Sequence, residues 1–162
     1  KKIIEIDKSF KLPEVLKPYR AFCSVEYEGY SLADDYNKIY QLLFSGQSKN
    51  IGKRQRVLLQ INSSGENTKA GFSINNKKEI LECINISGIK VEGLMTMGPN
   101  TKDVNLIVKS FQKTKKLFDD LNGLDGIKMK TLSMGMSGDY LIAVSEGSTS
   151  IRVGTAIFGP RS

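Results

Sequence analysis

Two short runs of small residues hold the chemistry this sequence has to offer: Ser133 to Gly138 (SMGMSG) and Gly154 to Thr155, each closing an apolar stretch. Backbone N–H groups freed by Gly and Ser at a turn into a helix suit the oxygens of a phosphate. An amphipathic segment of about three turns separates the runs, so 130–158 reads as strand, loop, helix, strand and second loop. In a parallel α/β arrangement both loops fall at the same end of the sheet and face each other. The stretch is the expected anchor of a phosphate-bearing ligand.

The chain contains no histidine. That removes the commonest general base, the Ser/His and Cys/His nucleophile pairs and the usual zinc sites. Chemistry is left to Lys, Asp, Glu, Tyr or a bound cofactor. Cys23 and Cys83 stand apart, with neither CxxC nor metal-ligand spacing, and are expected to be idle thiols of a reducing compartment. Lys and Arg number 24 against 17 Asp and Glu, a net charge of +7, which raises nucleic acid as a partner. The lysines instead share helix faces, as Lys109, Lys113 and Lys116 do in KSFQKTKKLFDD, and no aromatic residues interleave with them as a single-strand platform requires. Nucleic acid is not an expected partner. No run approaches the roughly 18 apolar residues of a membrane span, and KKIIEIDKSFK has no continuous apolar core of the secretory type. The expectation is a cytoplasmic protein without a membrane partner.

The elements that must hold the two loops alternate along the chain. With 162 residues, 40% of them apolar and 25% charged, the composition is that of one folded domain. Lys1 to Ile6 looks like the tail of a helix, and Tyr19 to Val25 (YRAFCSV) is β-prone, ending in the loop 26–29. Ser31 to Leu43 reads as a helix, with Ser31 as N-cap, Asp34 and Asp35 at the positive end of the dipole, and Leu32, Tyr36, Ile39, Tyr40 and Leu43 as its apolar stripe. FSGQSKNIGKRQR is a Ser, Gly and Lys loop.

Val57 to Asn62 (VLLQIN) is the almost continuous apolar run of a strand covered on both faces. It opens into SSGENTKAGFS, where Asn62, Ser63, Glu66, Lys69 and Gly71 either meet a ligand or form a solvated connection. Asn75 or Asn76 caps a helix through Ile86 that Gly88 closes. Val91 to Met95 is a further strand, ending in TMGPN. Asp103 to Asn122 is the longest helix, with Val104, Ile107, Val108, Phe111, Leu117, Phe118 and Leu121 on its apolar side.

Strands alternating with helices imply right-handed βαβ units and a parallel sheet, with ligand groups at the strands' carboxyl ends. A doubly wound nucleotide-binding sheet would carry GxGxxG after its first strand, or a P-loop with GK[ST]; neither occurs. In a (β/α) barrel the phosphate site follows the last two strands, where the opening stretch sits. Barrel-type units are the expected fold, although about five strands are too few to close a barrel of about eight strands and about 250 residues.

NSSGENTKAGF, GLMTMGP, LSMGMSGDY and the tail EGSTSIRVGTAIFG resemble, in that order, segments of the pyridoxal phosphate homeostasis protein family, with FCSVEYEGYSLA as a weaker counterpart of its fourth strand. The fold of that family is similar to the N-terminal barrel of alanine racemase. The resemblance runs through essentially the whole chain and implies strands four to eight of a (β/α)8 TIM-type barrel: residues 1–162 would form a single partial barrel domain lacking the N-terminal strands.

The resemblance also implies a pyridoxal 5′-phosphate site. Ser133, Met134 and Ser137 fall in the family's SMGMS loop and Gly154 and Thr155 in its RxGT loop, both of which hold the cofactor phosphate. Arg152 matches the arginine near the cofactor, with a charge-assisted contact to the phosphate or the pyridine nitrogen expected. Met95 matches a residue close to the ring, and Asp139 is expected only to cap the helix after it. The family's Schiff-base lysine lies in a VSK-type motif on the first strand, followed by FGEN and WHFIG segments; none of these is in this sequence, so no Schiff-base residue is assigned and Lys69 does not match one.

The implied function is non-catalytic cofactor binding in vitamin B6 homeostasis. Two alternatives remain at this point: a fragment of an amino-acid racemase-type enzyme, and a module for another phosphorylated metabolite without Schiff-base chemistry. An opened barrel exposes a sheet edge and apolar faces, so self-association or complementation by the missing N-terminal part is expected.

Overall fold

The computed structural model describes residues 30–33, 55–66, 68–86 and 89–159. Its elements in chain order are β1 (Tyr30–Ala33), β2 (Gln55–Asn62), β3 (Phe72–Ser73), α1 (Lys77–Ile84), β4 (Ile89–Thr96), α2 (Val104–Asn122), β5 (Thr131–Met136), α3 (Tyr140–Ser145), β6 (Ser150–Arg152) and α4 (Thr155–Phe158). Every strand pair is parallel, and the sheet runs β1-β2-β4-β5-β6 with β3 set against the end of β2.

Two features separate a barrel wall from a doubly wound sheet. The strands cross the sheet in chain order, without the reversal that opens a crevice in doubly wound folds. The helices also share one face: Val57, Leu59 and Ile61 of β2, Leu94 of β4 and Met134 of β5 pack in a single cluster with residues of α1, α2 and α3. A doubly wound sheet would divide its helices between two faces. The expected parallel barrel-type architecture is therefore the observed one. Alternate residues Leu58, Gln60, Met95 and Ser133 are buried on the opposite face, and the strand register sets Gln60 beside Met95 and Met95 beside Ser133 in one row.

The helices start where their caps dictate. Asn76, the second of the two candidates, caps α1: its Oδ1 accepts from the Glu79 N–H at 3.4 Å while its amide donates to the Glu79 carboxylate at 2.7 Å. Asp103 caps α2 by accepting from the N–H groups of Asn105 at 2.8 Å and Leu106 at 3.3 Å. The inward face of α2 differs from the apolar stripe in one respect. Val104 is exposed, whereas Ser110 and Thr114 are buried among Ile107, Phe111, Leu117, Phe118 and Leu121.

Other expectations need correction. Ser31 does not cap a helix: Tyr30–Ala33 forms β1 and pairs in parallel with Arg56 to Leu59, because a strand partner outweighs the local helix signal of Ser31 and the acidic residues after it. The segment after the SMGMSG loop is a six-residue helix, α3, rather than three turns, closed when Gly147 takes a positive φ of 88°. The helix tail 1–6, the strand 19–25 with its loop, residues 34–43 of the expected second helix, Cys23 and most of the loop 44–56 lie outside the described residues. Among the described residues no helix is long and apolar enough to cross a membrane.

Two results follow from this packing. Cys83 is fully buried on α1, and burial, followed by the charges of Glu79 and Glu82, pushes its thiol up to about 12. Since the thiolate is the reactive form, iodoacetamide at pH 8 should modify the peptide containing Cys83 at least about 100-fold faster in denaturant than in the native protein, read by mass spectrometry. On the surface, Asp120 accepts from Lys77 at 2.8 Å and from Lys116 at 2.9 Å, tying α1 to α2. The Lys77 hydrogen bond, then that of Lys116, holds its carboxyl below the usual value. A carboxyl depressed in the folded state adds stability above its unfolded pKa and loses it as pH falls through the folded one. Thermal melts of Asp120→Asn should therefore show a slightly shallower acid-side fall below about pH 4, with the small size of an exposed ion pair.

Candidate functional site

Strand ends and tight backbone contacts assemble the site at the carboxyl ends of β4, β5 and β6. Near the end of β5, Gly135 has a φ of 93°, and a Cβ there would sit 2.6 Å from the Ala143 Cβ and 2.9 Å from the Tyr140 Cα. The missing side chain lets α3 lie directly on the strand end. A second close approach joins the neighbouring loops. A Cβ at Gly98 would meet Asp139 Oδ2 at 2.6 Å, and the Gly98 carbonyl accepts from Lys69 Nζ at 2.7 Å. Asp139 occupies the N-cap position of α3 but makes no side-chain bond to that helix. Its Oδ1 instead accepts from the Met136 N–H at 2.6 Å, so it braces the loop rather than capping.

Ser137, Gly154 and the start of α4 come together as the two small-residue runs suggested. The Ser137 Oγ accepts from the backbone N–H of Gly154 and of Ala156, both at 3.1 Å. With its lone pairs so engaged, the hydroxyl keeps its own hydrogen to donate. A Cβ built on Gly138 or Gly154 would meet nothing within 4 Å, so there is open space beside the paired loops. Thr155 is exposed at the first position of α4. Both N–H groups are taken up by Ser137, so the donor the paired loops keep for a phosphate is the Ser137 hydroxyl hydrogen, held in place by Gly154 and Ala156.

Ser133 and Arg152 meet one layer deeper. Arg152 Nη1 donates to the Ser133 Oγ at 2.6 Å and to its carbonyl at 3.2 Å, and Nη2 donates to the Thr96 carbonyl at 2.9 Å. The guanidinium thus spans from β6 past β5 to β4. Met95 lies in the row with Ser133 and is 2% exposed. Met134 is not brought to the loops: its side chain lies in the helix-side core, and its N–H and carbonyl both bond to the Ser148 hydroxyl.

Most side-chain bonds of the loop after β2 fold it on itself, beside the one from Lys69 to Gly98. The Asn62 amide donates to the carbonyls of Glu66 and Lys69 at 2.9 and 3.0 Å, and its Oδ1 accepts from the Gly65 N–H at 3.0 Å. Lys69 Nζ also donates to the Glu66 carboxylate at 2.9 Å, which holds that carboxyl below its usual value. Gly71 turns with a φ of 129° where a Cβ would lie 2.9 Å from the Gln60 carbonyl. The loop is a folded connection and differs from the solvated one expected as the alternative to a ligand contact, since Ser63 is buried in it.

Thr96 and Ala156 were not singled out in the sequence. They act through backbone atoms, which side-chain chemistry does not reveal; the strand-to-Gly-Pro transition at TMGPN was the available signal for Thr96. Among the described residues no group of three or more His, Cys, Asp and Glu side chains is placed to hold a metal ion.

The family model described as "Pyridoxal-dependent decarboxylase, pyridoxal binding domain" matches residues 50–153. In sequence, the pyridoxal phosphate homeostasis protein of Aquifex aeolicus is 39% identical over 66% of this chain and 47% of its own length. The chain thus spans about half of that relative. Among solved structures, PipY of Synechococcus elongatus without PLP superposes with a TM-score of 0.70 at 25% identity, covering 81% of this chain and 61% of PipY. The form with PLP bound gives 0.67 at 24% over the same shares. Alanine racemase of Clostridium difficile in complex with cycloserine gives 0.65 at 19% identity, over 82% of this chain and 36% of the racemase, a likeness of fold alone. The expected resemblance and the alanine racemase-like barrel wall are both found, and the chain belongs to the pyridoxal-binding domain family of the pyridoxal-dependent decarboxylases.

Proposed function

We propose that this chain contributes the non-covalent part of a pyridoxal 5′-phosphate site in a non-catalytic protein of vitamin B6 homeostasis. The observation that carries this reading is the convergence of the Gly154 and Ala156 N–H groups on the Ser137 Oγ beside open space. The phosphate rests against Ser137, Gly154 and Thr155. Arg152, seated on Ser133, faces the cofactor, and Met95 packs in the same row toward its ring. Met134 supports the cup from the core behind it. When bound, the cofactor supplies an electron sink for carbanion chemistry, which a homeostasis protein need not use. The names of the relatives and the PLP-bound form of PipY agree with this assignment. The location that goes with this reading is cytoplasmic.

The test is a titration of the 162-residue chain with pyridoxal 5′-phosphate, followed by ligand fluorescence, with pyridoxal and inorganic phosphate in parallel. Pyridoxal 5′-phosphate should bind at least about 10-fold more tightly than pyridoxal, because the charge-assisted bonds to the phosphate are lost in the latter. Absence of binding overturns the reading. Equal affinity for inorganic phosphate would point instead to a module for another phosphorylated metabolite.

A further inference from the structure

Three hydroxyls lie in the apolar layer behind the site. Ser63, Thr96 and Ser110 are 3%, 0% and 3% exposed. The Ser63 Oγ is 2.8 Å from the Thr96 Oγ1 and 2.6 Å from the Ser110 Oγ, and the Thr96 Oγ1 donates to the Ile61 carbonyl at 2.8 Å. Each hydroxyl has a single hydrogen, and this count fixes the direction of the chain. Thr96 gives its hydrogen to Ile61, so Ser63 must donate to Thr96, and Ser110 must donate to Ser63. The run is one-way, from α2 through the loop after β2 to the last residue of β4.

Thr96 is where this chain meets the site. The ladder between β4 and β5 ends at the pair Met95 and Ser133, one residue short of Thr96. On that side no backbone pairing orients the Thr96 carbonyl, which accepts from Arg152 Nη2 at 2.9 Å. On the other side the hydroxyl chain and the pairing with Ile61 hold the residue. Buried hydroxyls are costly compared with apolar groups of the same shape, so packing alone does not call for three in a row.

We propose that the Ser110–Ser63–Thr96 hydroxyl chain is a positioning device for Arg152, acting through the Thr96 carbonyl beside the Ser133 contacts to set the angle at which its guanidinium faces the ligand. Ser63 and Ser110 are positioning residues and do not touch the ligand themselves. The effect on cofactor affinity rests on the reading given above; the effect on Arg152 does not.

The first measurement therefore needs no ligand. In the chain labelled with ¹⁵N-arginine, with the Arg152 signal assigned by its loss in Arg152→Lys, exchange of the Arg152 guanidinium hydrogens with water is compared among variants. Ser63→Ala should speed that exchange about 5-fold, since it breaks the chain in the middle. Ser110→Ala should do less, because Ser63 still donates to Thr96, and Thr96→Ser, which keeps the hydroxyl, should stay near wild type. If Ser63→Ala does not fold, Thr96→Val takes its place with the same expected result. An unchanged Arg152 signal in a folded variant overturns the proposal.

The second measurement is a double-mutant cycle on pyridoxal 5′-phosphate affinity. Ser63→Ala should weaken binding about 5-fold with Arg152 present and less than about 2-fold in an Arg152→Met background. Equal losses in both backgrounds would mean general damage and would refute positioning. A wild-type chain that fails to bind the cofactor removes the functional reading, while the exchange rates still decide the role of the hydroxyl chain.

Discussion

Gly93→Ala is expected to lower the unfolding free energy by at least about 3 kcal/mol, the upper end of what overpacking costs. A Cβ at this position would lie 1.8 Å from the Thr131 carbonyl oxygen and 2.6 Å from its carbonyl carbon. Both are backbone atoms of the adjacent strand, so no side-chain rotation relieves the clash. The close approach has a local cause. Between β2 and β4 the register steps from Val57–Val91 to Leu58–Gly93, which leaves Glu92 as an extra residue in β4. The Glu92 carbonyl then accepts from the Lys130 N–H at 2.8 Å, just before β5 begins, and its carboxylate takes the Arg56 guanidinium at 2.7 Å and Lys90 at 2.7 Å. The bulge presses Gly93 onto Thr131, and only glycine fits. Gly123→Ala is the matched control: its nearest atoms would be 3.5 Å from the new Cβ, an ordinary contact, so its cost should stay within about 0.5 kcal/mol. Urea unfolding curves of the two variants decide the point, and equal midpoints would rule out the close approach.

The contrast between Gly93 and the flanking apolar residues shows what the sequence could carry. Val57 to Ile61 and Leu132 to Met134 declare buried strands because side-chain hydrophobicity acts locally, and the parallel arrangement follows from their alternation with helices. The meeting of the two small-residue loops was legible for a different reason: consecutive parallel strands put both loops at one end of the sheet, although the bonds from Gly154 and Ala156 to Ser137 were not foreseeable. Gly93 inside VEGLM carries no such mark, since the register step that makes it necessary depends on two other strands. Likewise β1 read as a helix start because the strand partner that decides its conformation lies more than twenty residues further on. Ser63 and Ser110 were illegible as a pair, as only the docking of α2 on β2 and β4 brings their hydroxyls to 2.6 Å. Arg152, by contrast, was marked by its match to the family's arginine, although its seats on Ser133 and Thr96 come from the packing of three strands.

Arg152→Met should weaken pyridoxal 5′-phosphate binding by about 100-fold, the loss expected from one or two hydrogen bonds between a cation and an anionic or polar ligand in a half-buried setting. Methionine keeps the length of the side chain and its packing across β5, so the loss reports on the guanidinium rather than on a cavity. The substitution also strips the donors from the carbonyls of Thr96 and Ser133, which adds a stability cost that urea unfolding measures separately. Arg152→Lys separates charge from shape. An ammonium restores the positive charge, but it lacks the planar fork that reaches Ser133 and Thr96 together, so it should recover the salt-sensitive part of the affinity and not the whole. If Arg152→Lys bound as tightly as the native chain, charge alone would suffice and the bridging geometry would be irrelevant to the ligand. If Arg152→Met bound normally, the guanidinium would be a brace between three strands and nothing more. The intermediate outcome, with lysine between arginine and methionine and the gap to arginine persisting at high salt, is what a fork held in place by two strand ends requires.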